Sequence, residues 1–167
     1  MFTHNFDPVL IDLYVVEIRW YSLAYIFGIL VGWFYAKKII KRLKNDSSLN
    51  DLEIKDFDDL IPYLVIGIIL GGRLGYVLIY NFDYYIKNLH EIFYIWNGGM
   101  SFHGGLIGII VTTIIFTSIK KIHTFIYLDI ISCVAPIGLF LGRISNFING
   151  ELYGKVTNLP WGVIFPN

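Results

Sequence analysis

The chain has 167 residues and a mass of 19.3 kDa, is 56% hydrophobic and 16% charged, and has a mean hydropathy of +0.62. A soluble domain of this size cannot hide so much apolar side chain in one core, so the composition points to lipid as the solvent. Basic and acidic residues, 13 of each, cancel and remove any whole-chain attraction for nucleic acid, while the single cysteine excludes an internal disulfide and a cysteine-built metal cluster.

From Trp20 to Ala36 there is no charge, with Arg19 before the run and Lys37 and Lys38 after it. At 1.5 Å per residue such a run reaches about 25 Å, close to the minimum for a membrane crossing. A cleavable signal peptide is disfavoured, because the basic cluster follows the apolar run and further long apolar runs come after it. The stretch from Asn45 to Asp59 carries Asp46, Asp51, Glu53, Asp56, Asp58 and Asp59 and reads as a solvated linker without chemistry. A second span runs from Leu60 to Phe82, interrupted by Arg73; Asp58 or Asp59 is placed to cap its start, with Pro62 in its first turn.

The segment from Asp83 to Asn97 is rich in Tyr, Phe and Trp, which suits an interfacial helix or loop with rings at headgroup depth. A third span is expected from about Gly98 to Ile119. A fourth follows from about Thr124 to Gly142, with Asp129, Cys133 and Pro136 inside it, and Cys133 reads as a packing residue. The fold class expected is therefore all-α: a polytopic helical membrane protein with about four transmembrane helices and an outer interfacial segment.

Lys37, Lys38, Lys41, Arg42, Lys44 and Lys55 follow span one, and Lys120, Lys121 and His123 follow span three; the other side carries few cations, such as Arg19, Lys87 and Lys155. Positive-inside bias then puts the N-terminus outside and brings the start of span three and the end of span four to the outer face. Two polar groups lie at those ends. Arg143 opens the stretch Arg143-Ile144-Ser145-Asn146-Phe147-Ile148-Asn149-Gly150-Glu151, and a guanidinium near hydrocarbon demands an anion or water. If helix continues through it, Arg143 shares a face with Asn146, and the pair suits a phosphodiester. An arginine that only snorkels to headgroups would explain Arg143 but not the adjoining Asn146, Asn149 and Glu151.

His103 stands between Gly98-Gly99 and Gly104-Gly105, where glycines allow close approach of backbone or ligand. An imidazole there can take a proton from a nucleophile or donate to a phosphate. Arg73, within Gly71-Gly72-Arg73-Leu74-Gly75, is either a structural tie or a substrate contact, with Glu151, Asp129 or lipid phosphate as candidate partners. Tyr21 is either a belt residue at the interface or a hydroxyl at the depth of His103 and Arg143. No nucleophile elbow, zinc-spaced ligand set or P-loop is present, so neither a cofactor nor a metal is expected, and a nucleophile would arrive on a substrate.

These residues carry a resemblance. Gly142 to Gly154 (GRISNFINGELYG) and Gly98 to Gly108 (GGMSFHGGLIG), supported by Phe6 to Val9 (FDPV), Arg19 to Tyr25 (RWYSLAY) and Gly71 to Leu78 (GGRLGYVL), resemble the signatures of the prolipoprotein diacylglyceryl transferases over essentially the whole chain. The resemblance implies transfer of a diacylglyceryl group from phosphatidylglycerol to the lipobox cysteine thiol of a preprolipoprotein, in the bacterial inner membrane, with the site on the periplasmic side. It implies that Arg143 holds the phosphate, that His103 helps to activate the thiol, and that Tyr21, Asn146, Glu151 and Gly154 contribute to substrate binding. Members of the family run on through further spans and a second essential arginine. On that ground residues 1–167 are expected to form a single membrane domain that is incomplete at its C-terminus and inactive alone. Two other classes remain open on the residues: half of a small transporter or channel lined by Arg73, Asp129 and Arg143, and a non-catalytic membrane assembly subunit.

Overall fold

The computed structural model describes residues 1–12, 14, 17–46 and 52–166. Four of its helices are long and apolar enough to cross a membrane, and the protein is a polytopic helical membrane protein. In chain order they are α1 (Trp20–Asp46), α2 (Ile54–Gly75), α4 (Phe102–Lys120) and α5 (Thr124–Ile148), with a short α3 (Phe82–Lys87) between α2 and α4. Small strands accompany them: β1 (Phe2–Thr3) pairs in parallel with β4 (Val163–Ile164), and β2 (Val9–Asp12) pairs antiparallel with β3 (Glu17–Arg19).

The helix ends depart from the apolar runs in an instructive way. The first helix continues through Lys37, Lys38, Lys41 and Arg42 to Asp46, because lysine and arginine are good helix formers and extend the rod into water. The second begins at Ile54, so neither Asp58 nor Asp59 caps it, and Pro62 lies inside it rather than in its first turn. The linker expected from Asn45 to Asp59 is thus helical from Ile54 onward; its residues 47–51 lie outside the described residues. That acidic turn does have partners. Lys120 Nζ reaches Asp56 at 3.1 Å and Asp59 at 2.9 Å, while Phe57 and Leu60 of the same turn are buried. The apolar run alone could not reveal an amphipathic turn that buries one face and pairs the other.

The chain forms two compact units, residues 39–131 and residues 1–38 with 132–167. In the first, α2 lies against α4 along two rows of small residues, Gly67, Gly71 and Gly75 facing Gly104, Gly108 and Thr112. The fit is backbone on backbone: a Cβ on Gly75 would stand 2.7 Å from the Gly104 Cα, and one on Gly71 would stand 2.9 Å from the Gly108 Cα. Lipid tails give two helices no hydrophobic reason to associate, so dispersion between closely approaching backbones must supply it. At the far end Thr117 Oγ1 shares a 2.7 Å hydrogen bond with Thr124 Oγ1 and donates to the Thr113 carbonyl at 2.8 Å. The last turn of α2 widens into a π turn over Tyr76–Tyr80, closed by the Asn81 amide on the Tyr76 carbonyl.

In the second unit, a Cβ on Gly28 of α1 would lie 3.2 Å from the Gly138 Cα of α5. Cys133 is exposed on α5 rather than packed, as suits a span whose outer surface meets hydrocarbon.

Gly75→Leu and Gly104→Leu are expected to destabilise the protein by about 3 kcal/mol or more, since a side chain must push the paired backbones apart. Gly138→Ala, where a Cβ meets nothing, is expected to change stability by less than about 0.5 kcal/mol. Thermal unfolding in detergent measures both, and equal losses at Gly104 and Gly138 would contradict the close packing.

Candidate active site

The polar cluster of the second unit is built at the end of α5. The helix does continue through Arg143 and Asn146, but the two side chains differ in their surroundings: Asn146 and Ser145 are buried and Arg143 is exposed. Ser145 Oγ donates to the Leu141 carbonyl at 3.2 Å and reaches the Trp20 carbonyl at 3.5 Å, seating α5 on the start of α1. Beside it the Asn146 amide nitrogen donates to the Tyr21 hydroxyl and lies 3.5 Å from Glu151 Oε2. A carboxylate only accepts, so this pairing fixes which end of the amide is nitrogen. The Tyr21 oxygen accepts from Asn146, which leaves its own O–H free to donate elsewhere.

Glu151 comes back over Asn146 because of how α5 stops. The Gly150 amide bonds the Phe147 carbonyl at 3.1 Å and the Glu151 amide bonds the Asn146 carbonyl at 2.9 Å, with Gly150 at φ +65°. This is a Schellman turn, and its left-handed position is the one that favours glycine. Asn149 Nδ2 adds a second contact to Glu151, at 3.3 Å from Oε1. Asn146 is therefore bracketed by Glu151 through both backbone and side chain.

Arg143 makes no hydrogen bond or ion pair among the described residues. Its charge and that of Glu151 both reach the Tyr21 hydroxyl. Gly154 lies in an exposed stretch where a Cβ would meet nothing.

In the first unit, His103 occupies the opening turn of α4, exposed, with its ring edge-on to Phe102 at 5.6 Å. The helix begins at Phe102 rather than near Gly98: Gly98 and Gly99 take φ of +79° and +81°, and Ser101 is the N-cap, its Oγ accepting from the Gly104 amide at 3.2 Å. The Ser101 amide bonds the Gly72 carbonyl of α2 at 2.8 Å.

Arg73 is buried, and its partners are none of those expected. Its guanidinium donates to five backbone carbonyls: Nε to Ile92 at 2.9 Å, Nη1 to Gly98 at 2.6 Å and Gly99 at 3.3 Å, and Nη2 to Glu91 at 2.7 Å and Tyr94 at 3.2 Å. Five N–H donors meet five acceptors, and the Tyr85 ring lies 5.1 Å from the guanidinium carbon. The carboxylates of Glu151 and Asp129 are not among them. The segment that Arg73 gathers is the aromatic one expected from Asp83 to Asn97, which forms α3 and two short 3-10 turns, Leu89–Phe93 and Ile95–Asn97. On its outside the Tyr84 hydroxyl donates to Glu91 at 2.7 Å, and that bond to a carboxylate pushes the Tyr84 phenol above its ordinary range.

Of the expected residues, Tyr21, Asn146 and Glu151 form one cluster with Arg143 at its edge, while His103 and Arg73 belong to the other unit. His4 escaped notice in the sequence. Its imidazole is buried among Phe6, Phe147 and Phe165, with ring centroids 5.0–5.4 Å away and Nε2 unpartnered. No local pattern marks it, because two of the three rings come from the other end of the chain.

A family profile described as prolipoprotein diacylglyceryl transferase matches residues 8–167. The chain belongs to the prolipoprotein diacylglyceryl transferase family. Among curated relatives, the phosphatidylglycerol–prolipoprotein diacylglyceryl transferase of Rickettsia canadensis is 52% identical over 163 residues, which are 98% of this chain and 61% of the relative. That of Rickettsia typhi is 51% identical over 167 residues, 100% of this chain and 62% of the relative, and that of Rhodopseudomonas palustris is 48% identical over 164 residues, 97% and 57%. The chain thus spans about three fifths of the length of these diacylglyceryl transferases. His4 precedes the residues that the family profile covers.

Within this family member the Schellman turn and the open Gly154 separate two kinds of glycine. Gly150→Ala is expected to lower stability by about 1–2 kcal/mol through left-handed strain, and Gly154→Ala by less than about 0.5 kcal/mol. Denaturant unfolding of the membrane-inserted protein checks the pair. A Gly154→Ala loss as large as that of Gly150→Ala would show that residue 154 is structurally constrained.

Proposed function

We propose that this protein acts in transfer of the sn-1,2-diacylglyceryl group from phosphatidylglycerol to the lipobox cysteine thiol of preprolipoproteins, at the periplasmic face of the bacterial inner membrane. Membership of the family supports the reaction. The observation that carries Arg143 into it is the contrast between two arginines: the donors of Arg73 are saturated by carbonyls, and those of Arg143 are open to an anion.

In this reading the thiolate sulfur attacks the glycerol carbon that bears the phosphodiester oxygen. The S–C bond forms, the C–O bond breaks, and the electron pair leaves on glycerol phosphate. A free thiol has a pKa of about 8.5, so a nearby imidazole suffices to take its proton, and His103 serves as that base. Arg143 binds the phosphate and offsets the charge that gathers on it as the bond breaks. The Tyr21 O–H, freed by Asn146 acting as donor, offers a second hydrogen bond to a headgroup oxygen, and Glu151 holds that amide in place. The chemistry requires no cofactor. A permeation route is the weaker reading, since it relies on Arg73 as a lining charge.

The test measures transfer from labelled phosphatidylglycerol to a lipobox peptide, using residues 1–167 alone and joined to the remaining C-terminal portion of the Rickettsia canadensis relative. In whichever form is active, Arg143→Ala is expected to lower kcat by about 10²–10³-fold and His103→Ala by about 10²–10⁴-fold. Tyr21→Phe is expected to lose about tenfold, the worth of one hydrogen bond near 1.4 kcal/mol. Full activity of Arg143→Ala would remove its phosphate role, and no transfer by either form would reject the proposed reaction.

A further inference from the structure

We infer that Arg73 is a positioning residue for His103, acting through the backbone of residues 98–101 and not through the lipid. The inference rests on the reading of His103 as the base.

The imidazole of His103 is exposed, edge-on to the Phe102 ring, and makes no hydrogen bond or ion pair among the described residues. With no hydrogen bond to aim it, its position follows from its own backbone. That backbone is the first turn of α4, and α2 holds the approach to it at consecutive residues. Gly72 accepts from the Ser101 amide at 2.8 Å, while Arg73 Nη1 donates to Gly98 at 2.6 Å and Gly99 at 3.3 Å. Ser101 then caps the turn on the Gly104 amide, and Gly104 meets Gly75 backbone to backbone.

Two glycines with positive φ precede this turn, and such a peptide has many alternative conformations unless something selects one. Arg73 makes the selection. A charge buried without partners would be prohibitively costly, and only a chain path that turns the carbonyls of residues 91, 92, 94, 98 and 99 inward satisfies it. The glycine rows fix how α2 and α4 meet, and Arg73 fixes how the chain enters α4. Removing the guanidinium therefore loosens the entry without separating the helices.

Lysine keeps the charge but has three donors and no planar fork, so Arg73→Lys cannot hold five carbonyls. Hydrogen exchange is followed on the membrane-inserted 167-residue chain, and transfer on the form that shows it. Arg73→Lys is expected to speed exchange of the amides of residues 98–105 tenfold or more, with residues 109–117 still protected. It is expected to lower kcat tenfold or more, leave KM for phosphatidylglycerol within twofold, and cost nothing further when added to His103→Ala. Unchanged exchange at 98–105, loss of protection along the whole of α4, an additive cost in the double variant, or a raised KM with kcat intact would each overturn the inference. His103→Ala with full activity would instead remove the base role of His103, while leaving the exchange result to judge the clamp on its own.

Discussion

A guanidinium removed from water must have its donors met, and the structure is arranged around that demand. Each buried N–H left without an acceptor costs on the order of 1–3 kcal/mol, more for a charged group. Arg73 sits in the helix that must pack against α4, so it cannot reach solvent, and the aromatic segment after α2 folds around it with carbonyls inward. This explains why a stretch so rich in exposed rings, Phe93 and Trp96 among them, still has a defined path. Its apolar side chains have little protein to pack on, and the segment is held by its backbone.

The same economy of backbone runs through the rest of the protein. Between α2 and α4 the glycines bring main chain to main chain, which yields dispersion without side-chain entropy to lose. At the end of α5 a left-handed glycine turns Glu151 back onto Asn146. In both places the residue that enables the geometry has no chemistry of its own. The groups proposed to touch a substrate, His103 and Arg143, are exposed and carry no internal hydrogen bond among the described residues. Their positions are delegated to backbone that is fixed by other means, so substitutions at silent glycines and at Arg73 reach them indirectly.

Four spans, the interfacial segment and the polar stretch around Arg143 were legible in the sequence because each depends on composition over a window, and windows report the solvent. What was not legible depends on pairing at a distance. Nothing near Ile54 marks it as the start of α2, since the acidic turn there is helical through its contact with Lys120, more than 60 residues on. Arg73 was readable as a cation in need of partners, and carboxylates and phosphate were the obvious choices. Carbonyls were not, because every residue has one and no letter in the sequence distinguishes a carbonyl that turns inward. His4 was invisible for the same reason as the bond between Tyr21 and Asn146, whose partners lie 125 residues apart.

The two arginines also separate what a motif can and cannot convey. Both stand after a glycine in an apolar helix and both belong to stretches that resemble family signatures, yet the sequence points Arg143 to a phosphate and leaves Arg73 open between a structural tie and a substrate contact. Burial divides them. A guanidinium whose five donors meet five carbonyls has none left for a phosphate, and lending one to a substrate would take it from a carbonyl that holds the chain path. An exposed guanidinium without internal partners meets an anion at the cost of displacing water alone. Recurrence of an arginine in a signature therefore says that its geometry matters, and only the fate of its donors says whether that geometry serves the fold or the ligand.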